Sequence, residues 1–219
     1  MRNRWFIALA AIGLHISIGS VYAWSVLTRP IMADMGFTLS QTTWTFSLAI
    51  LMLGLSAGFL GSFAEKIGPK KSGLLAMLFW VTGLFGTAYA LSIHNLTLLY
   101  LFYGIIGGIG LGIGYITPVS TLVKYFPNRP GFATGLAIMG FGFASLIAGP
   151  LMQYLVAQVG LVDNFIILGI IYLVVMGASS LYLKAPQQKH LTRTTKDKST
   201  MYVHNHGMLA NDAMKTWQF

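Results

Sequence analysis

Three observations predict an all-α membrane protein built as a six-transmembrane-helix bundle. Six apolar stretches, each roughly 20 residues or longer, run through residues 1–184. Of the 14 Lys and Arg, all but Arg29 fall at the N-terminus, after the second and fourth stretches, or in the tail. Hydrophobic residues make up 55% of the chain and charged residues only 9%, which leaves no sensible reading as a soluble domain.

The spans read as residues 5–27, 44–63, 72–92, 96–123, 132–158 and 165–183. At about 1.5 Å per helical residue, each crosses a hydrocarbon core of about 30 Å. Lys and Arg are retained on the cytoplasmic side, so Arg2, Arg4, Lys66, Lys70, Lys71, Lys124, Arg129 and the tail from Lys184 are expected there. Both termini are then cytoplasmic in a multi-pass protein of the cell membrane.

The first span follows Arg2 and Arg4 as a signal peptide would, but its apolar stretch exceeds an h-region of about 7–15 residues, and five spans come after it. It is expected to stay as a helix. His15, Ile18, Gly19 and Tyr22 share one face of it at spacings of three, four and seven, and His15 is the one ionisable residue well inside any span. Such residues usually face an interior or an aqueous path, and a reference pKa of about 6.5 makes His15 a candidate proton-sensitive group. A neutral, hydrogen-bonded histidine is the plainer expectation. Trp5, Trp24, Trp44 and Trp80 fall near span ends or in the outer thirds of spans, as belt residues do.

In the second span Ser47, Gly54 and Gly61 recur every seven residues and predict a smooth helix-contact face. The run Gly54 to Gly58 also matches the G-x-S-x-G nucleophile pattern around Ser56, which raises an intramembrane serine hydrolase as an alternative. The esterase elbow requires a strand-turn-helix, and no acidic orienter lies near. No enzyme is expected.

The fourth span carries Gly104, Gly108 and Gly112 on one stripe and Gly107, Gly110 and Gly114 on its neighbour, a spacing that lets helix backbones approach closely. No G-x-G-x-x-G match or preceding strand supports a nucleotide loop. Gly135, Gly142 and Gly149 predict a further packing face in the fifth span. Pro118 and Pro150 are expected to interrupt the fourth and fifth helices. Ser120, Thr121, Ser145 and Gln153 read as helix-helix glue.

Residues 185–219 read as a basic cytoplasmic tail. His204 and His206 within it are too few for a metal site. The net charge of +9 belongs to a membrane rim beside anionic headgroups, so no nucleic acid partner is implied. Without cysteine there is no disulfide or thiolate site, and no cofactor is expected.

Between the second and third spans the chain reads GSFAEKIGPKKSG, with Gly61, Glu65, Lys66, Gly68, Lys70 and Lys71. This resembles the signature loop of the major facilitator superfamily, which usually has Asp where Glu65 stands and more often Arg at Lys66. Residues 114–142, GYITPVSTLVKYFPNRPGFATGLAIMGFG, resemble the oxalate/formate antiporter family within it, with Tyr125 for a Trp, Asn128 for an acid and Pro130 for an Arg. The first helix, with NRWF from Asn3 and GSVYAWSV from Gly19, is similar to the same family.

The resemblance covers residues 3 to about 150 and implies the N-terminal six-helix half of a twelve-helix carrier, arranged by analogy as a three-plus-three repeat. It implies a secondary active transporter of small carboxylates such as oxalate, formate or monocarboxylates, working by alternating access with a C-terminal six-helix half as partner. The tail would link the halves. The signature loop would gate, and Tyr22 and Tyr115, with His15, would line the substrate cavity. Relatives supply membrane-embedded cations from the second half, and no embedded Lys or Arg is expected in this one. A self-associating six-helix protein, as homodimeric carrier or scaffold, is the alternative.

Overall fold

In the computed structural model, which describes residues 3–186, every regular element is helical. Helix α1 (Arg4–Met35) is capped by the Asn3 side chain, tightens to a 3-10 turn over Ser20–Ala23 and resumes at Trp24. A capping box of Thr38 and Gln41 starts α2 (Leu39–Ile67). Helix α3 (Pro69–Ser92) follows, and α4 (Leu96–Tyr125) begins at an Asn95 cap and passes through a π-helical stretch, Tyr100–Gly107. A continuous run, Pro130–Tyr182, bends at Gly160 into α5 (residues 130–159) and α6 (residues 161–182). Each helix is long and apolar enough to cross a membrane.

Two links consist of a single glycine. Gly68 joins α2 to α3 with φ 82° and ψ 161°, and Gly160 joins α5 to α6 with φ 85° and ψ 178°. A side chain would strain both conformations, so these glycines permit reversals in one residue. The two links occupy equivalent places in the first and last three helices. Packing follows the same division. Helix α1 lies against α5 at Gly19 and α6 at Gly13, while α4 lies against α2 at Gly108 and α3 at Gly110. The leading helix of each triplet thus packs on the second and third helices of the other.

Contacts also gather the bases at one end. Lys124 Nζ donates to Glu65 Oε1 at 3.5 Å, Tyr125 Oη donates to the Lys184 carbonyl at 2.9 Å, and the Arg4 guanidinium sits 5.6 Å from the Phe126 ring centroid. Since α1 begins at this end and α4 finishes there, the triplets run in opposite directions.

Several expectations need correcting. The first span does not stop at residue 27: its helix continues through Arg29 and Pro30 to Met35, where Gly36 closes it in a left-handed cap. Pro118 and Pro150 interrupt nothing, because both helices run through them; the local departures fall instead at the 3-10 turn, the π stretch and Gly160. Trp24 and Trp80 are core residues rather than belt residues. Trp24 Nε1 donates to the Thr42 carbonyl at 3.2 Å, and both indoles pack on Tyr103. Trp5 and Trp44 are exposed. Arg2, and the tail from residue 187 with His204 and His206, lie outside the described residues.

Candidate functional site

At the end opposite the basic cluster, α1 and α2 enclose a cleft of about 570 Å³. Tyr22, Ser25, Arg29 and Met32 line it from α1, at offsets of three, seven and ten residues from Tyr22, so the wall is one helical stripe. Thr28 and Trp24 add to it, and Leu39, Thr43 and Phe46 face them from α2. The Trp24 hydrogen bond to Thr42 fixes the width, and Tyr100 Oη pins α4 to the start of α2 at the Gln41 carbonyl, 2.8 Å away.

Tyr22 keeps 44% of its surface exposed, and its ring meets Phe46 and Phe141 edge-on at 6.3 and 5.2 Å. Arg29 is exposed and makes no ion pair among the described residues. One guanidinium, one phenol and three hydroxyls thus border a half-open cleft, and of the hydroxyls Thr28 Oγ1 already donates to the Trp24 carbonyl at 3.3 Å. A guanidinium offers paired N–H donors that match a carboxylate, and hydroxyls can donate to its remaining lone pairs. Sequence reasoning left Arg29 out of the candidate site because it ended the first span at residue 27. The seven-residue spacing from Tyr22 was the available signal.

His15 is fully buried between α1, α4 and α5. Its Nδ1 lies 2.6 Å from the Ala137 carbonyl and its Nε2 3.0 Å from the Tyr115 carbonyl, while its ring stacks on Tyr115 at 5.7 Å. Both partners only accept. A neutral imidazole has one N–H and donates to one carbonyl at a time; the imidazolium donates to both. Tyr115 is partly buried and packs edge-on against Phe141 at 5.3 Å. Tyr22, His15 and Tyr115 therefore converge on Phe141, a residue the sequence reading did not single out, yet of the three only Tyr22 borders the cleft.

Gly104, Gly108 and Gly112 all dock on α2: an added Cβ would fall 2.9 Å from Leu48 Cβ at the first, 2.6 Å from Met52 Cβ at the second, and against Ser56 Oγ and the Leu53 carbonyl at the third. Gly107 and Gly110 dock on Trp80 of α3. The expected face in α5 is different. Among the described residues, Gly135 and Gly142 have nothing within 4 Å of an added Cβ, and Gly149 only Val26 Cγ2 at 3.7 Å. In α2, Gly54 is likewise open, whereas Gly61 touches Ile116. These open glycines leave smooth strips on α2 and α5 that no described residue occupies.

Glu65 pairs with Lys124 across the α2–α4 ends, and Lys66, Lys70 and Lys71 are exposed around the Gly68 turn. Ser56 donates to the Leu53 and Gly108 carbonyls and is buried, so it joins α2 to α4, and among the described residues it bonds no base that would activate it. Ser120, Thr121 and Ser145 donate to carbonyls of their own helices, which corrects their reading as glue; the hydroxyl pair that does cross between helices is Ser72 with Thr117, at 2.6 Å. Among the described residues no three His, Cys, Asp or Glu gather as metal ligands.

A family profile described as Major Facilitator Superfamily matches residues 6–217. The MFS-type transporter YhjX of Escherichia coli (strain K12) is 33% identical over 190 residues, 86% of this chain and 46% of that protein. The oxalate:formate antiporter of Oxalobacter formigenes is 26% identical over 200 residues, 89% of this chain and 47% of its own. Human monocarboxylate transporter 14 is 28% identical over 170 residues, covering 77% and 33%. The chain thus spans between about a third and about half of the length of these relatives.

Proposed function

The chain belongs to the major facilitator superfamily, and on that premise we propose that it is one half of a secondary active transporter of small carboxylates, an integral membrane protein and not an enzyme. The observation that carries the ligand class is the α1–α2 cleft, where Arg29, Tyr22 and Ser25 on α1 face Thr43 on α2 and supply a cation and several donors. An anion leaving water needs such compensation, since an isolated charge in apolar surroundings costs many kcal/mol. Relatives named for oxalate, formate and monocarboxylates support the same class.

The partner is a second six-helix half. The open glycine strips at Gly54 on α2 and at Gly135 and Gly142 on α5 suit it, because small residues let helices meet closely. In the mechanism we infer, substrate is held between the halves, and rocking exposes it to alternate sides. The Glu65–Lys124 pair and the bases Lys66, Lys70 and Lys71 bias that equilibrium from the basic end, which we take as cytoplasmic because Lys and Arg are retained on that side.

Proteoliposomes of the carrier loaded with oxalate, formate or a monocarboxylate should take up the labelled anion by counterflow. A folded, correctly inserted protein that exchanges none of them would remove the carboxylate reading. The same open strips also suit a second copy of the chain, and crosslinking from Gly142→Cys would separate the two arrangements: a defined homodimer favours self-association.

A further inference from the structure

At the basic end, 320 Å³ of space lies between the start of α1 and the α4–α5 turn, bounded by Arg4, Trp5, Tyr125, Phe126, Asn128 and Arg129, with Phe132 at its edge. We propose that this cleft is a second carboxylate-binding site, a vestibule that captures the anion at the mouth opposite the Tyr22–Arg29 cleft. The inference takes its ligand class from the proposed function and adds a site to it.

Four features argue for an anion here. Arg4 and Arg129 are both exposed, and neither makes an ion pair among the described residues. Among the described residues no carboxylate side chain lines the cleft, and Asn128 stands between Pro127 and Arg129. Arg4 is held in place by rings: its guanidinium carbon stands 5.8 Å from the Trp5 centroid and 5.6 Å from that of Phe126. Stacking of this kind leaves the in-plane N–H donors free for an oxyanion and reduces the side-chain entropy lost on binding. The rings are themselves fixed, because Trp5, Phe126 and Phe132 meet pairwise edge-on at 5.7 to 6.5 Å. Two guanidiniums without acids, over a rigid aromatic floor, match the two oxygens of a carboxylate better than they match an uncharged solute.

The placement gives the site its role. Helix α1 runs the length of the bundle, ~37 Å from Arg4 to Arg29 at about 1.5 Å per residue, and carries a lining arginine at each end. Between them lie His15 and Tyr22, both in contact with Phe141. Phe132 stands on α5 three residues before the open Gly135, so the vestibule borders the strip assigned to the second half. An anionic lipid headgroup has related chemistry and is tested as the competing occupant.

The chain has no native cysteine, which makes single-cysteine labelling clean. In detergent, the full chain with Asn128→Cys is labelled with a neutral maleimide, with and without oxalate, and the same is done with Ser25→Cys in the other cleft. Oxalate should slow labelling at Asn128→Cys at least fivefold. That protection should vanish when Arg4→Gln and Arg129→Gln are added, and persist with Lys70→Gln and Lys71→Gln, which remove equal charge from the same end. Protection at Ser25→Cys alone would overturn the vestibule and leave the carboxylate reading standing. Equal loss in the Lys70→Gln, Lys71→Gln variant would reduce the effect to general charge and overturn it too. If phosphatidylglycerol, in place of oxalate, gives the arginine-dependent protection and oxalate gives none, the occupant is a lipid headgroup and the proposal fails. Protection at both sites in a protein that exchanges nothing would keep the vestibule and count against transport.

Discussion

Replacing Gly110 by Ala tests the packing that positions α4. An added Cβ would stand 2.6 Å from the Trp80 backbone nitrogen and 2.9 Å from the Ala76 carbonyl oxygen, both main-chain atoms of α3. Ordinary contact begins near 3.4 Å, so α4 must retreat by about 0.8 Å, and no side chain can swing aside to prevent it. A radial gap of about 0.5–1 Å forfeits roughly a quarter to a half of each dispersion contact along the seam, and overpacking of this kind typically costs about 1–3 kcal/mol. Gly142→Ala is the matched control, because no described residue lies within 4 Å of an added Cβ there. Relief of glycine's conformational freedom should make it neutral or stabilising by up to about 1 kcal/mol. Denaturant unfolding of the full chain in one detergent, followed by far-UV circular dichroism, reads both. Wild-type stability in Gly110→Ala, or an equal loss in Gly142→Ala, would refute the assignment of tight and open glycine faces.

Four further outcomes follow from the same geometry. Gly142→Leu should leave unfolding of the chain within about 0.5 kcal/mol of wild type yet reduce carboxylate exchange at least tenfold, since the bulk fills the strip assigned to the second half; unchanged exchange would remove that assignment. Arg29→Gln should raise the KM for carboxylate at least tenfold, as expected when a charge-assisted hydrogen bond of about 1.5–3 kcal/mol is lost, with Arg29→Lys in between; kinetics of counterflow decide it. His15→Phe keeps a ring against Tyr115 but has no donor for the Ala137 or Tyr115 carbonyl, and should cost about 1–3 kcal/mol in the unfolding assay. Glu65→Gln breaks an exposed pair worth at most about 1 kcal/mol, so stability should barely change while maximal exchange rate falls and substrate preference stays; a pure preference change would contradict the gating role.

Much of the fold was legible because membranes impose a simple grammar. Apolar length identified the long helices, and the four-residue spacing of Gly104, Gly108 and Gly112 identified a stripe that does dock closely on α2. What the pattern could not supply was the partner of each face. Gly135 and Gly142 carry the same small-residue signal, yet nothing in the described residues covers them, since spacing states that a surface is smooth and not what meets it. The triplet relation was illegible for a similar reason. It resides in the matched conformations of Gly68 and Gly160 and in reciprocal packing, neither of which needs similar residues.

The site was half legible. His15 and Tyr22 were placed on one face by spacing, and both do meet Phe141, but burial separates them, the histidine locked on two carbonyls and the phenol open to the cleft. Arg29 was lost because the first span was ended at residue 27, whereas the packed bundle tolerates the missing N–H of Pro30 and carries α1 on to Met35. Trp24 and Trp80 were read from their depth in the sequence, but shared packing on Tyr103 draws them inward.

The central claim is that the Tyr22–Arg29 cleft holds a small carboxylate, and the most direct test is substrate protection at that wall. Ser25→Cys would be the only thiol in the chain, so its rate of labelling by a neutral reagent reports occupancy of the cleft alone. The account predicts that oxalate or a monocarboxylate slows labelling in a saturable manner, that an uncharged sugar does not, and that adding Arg29→Gln abolishes the effect. Labelling that is indifferent to saturating carboxylate in a folded protein would contradict it.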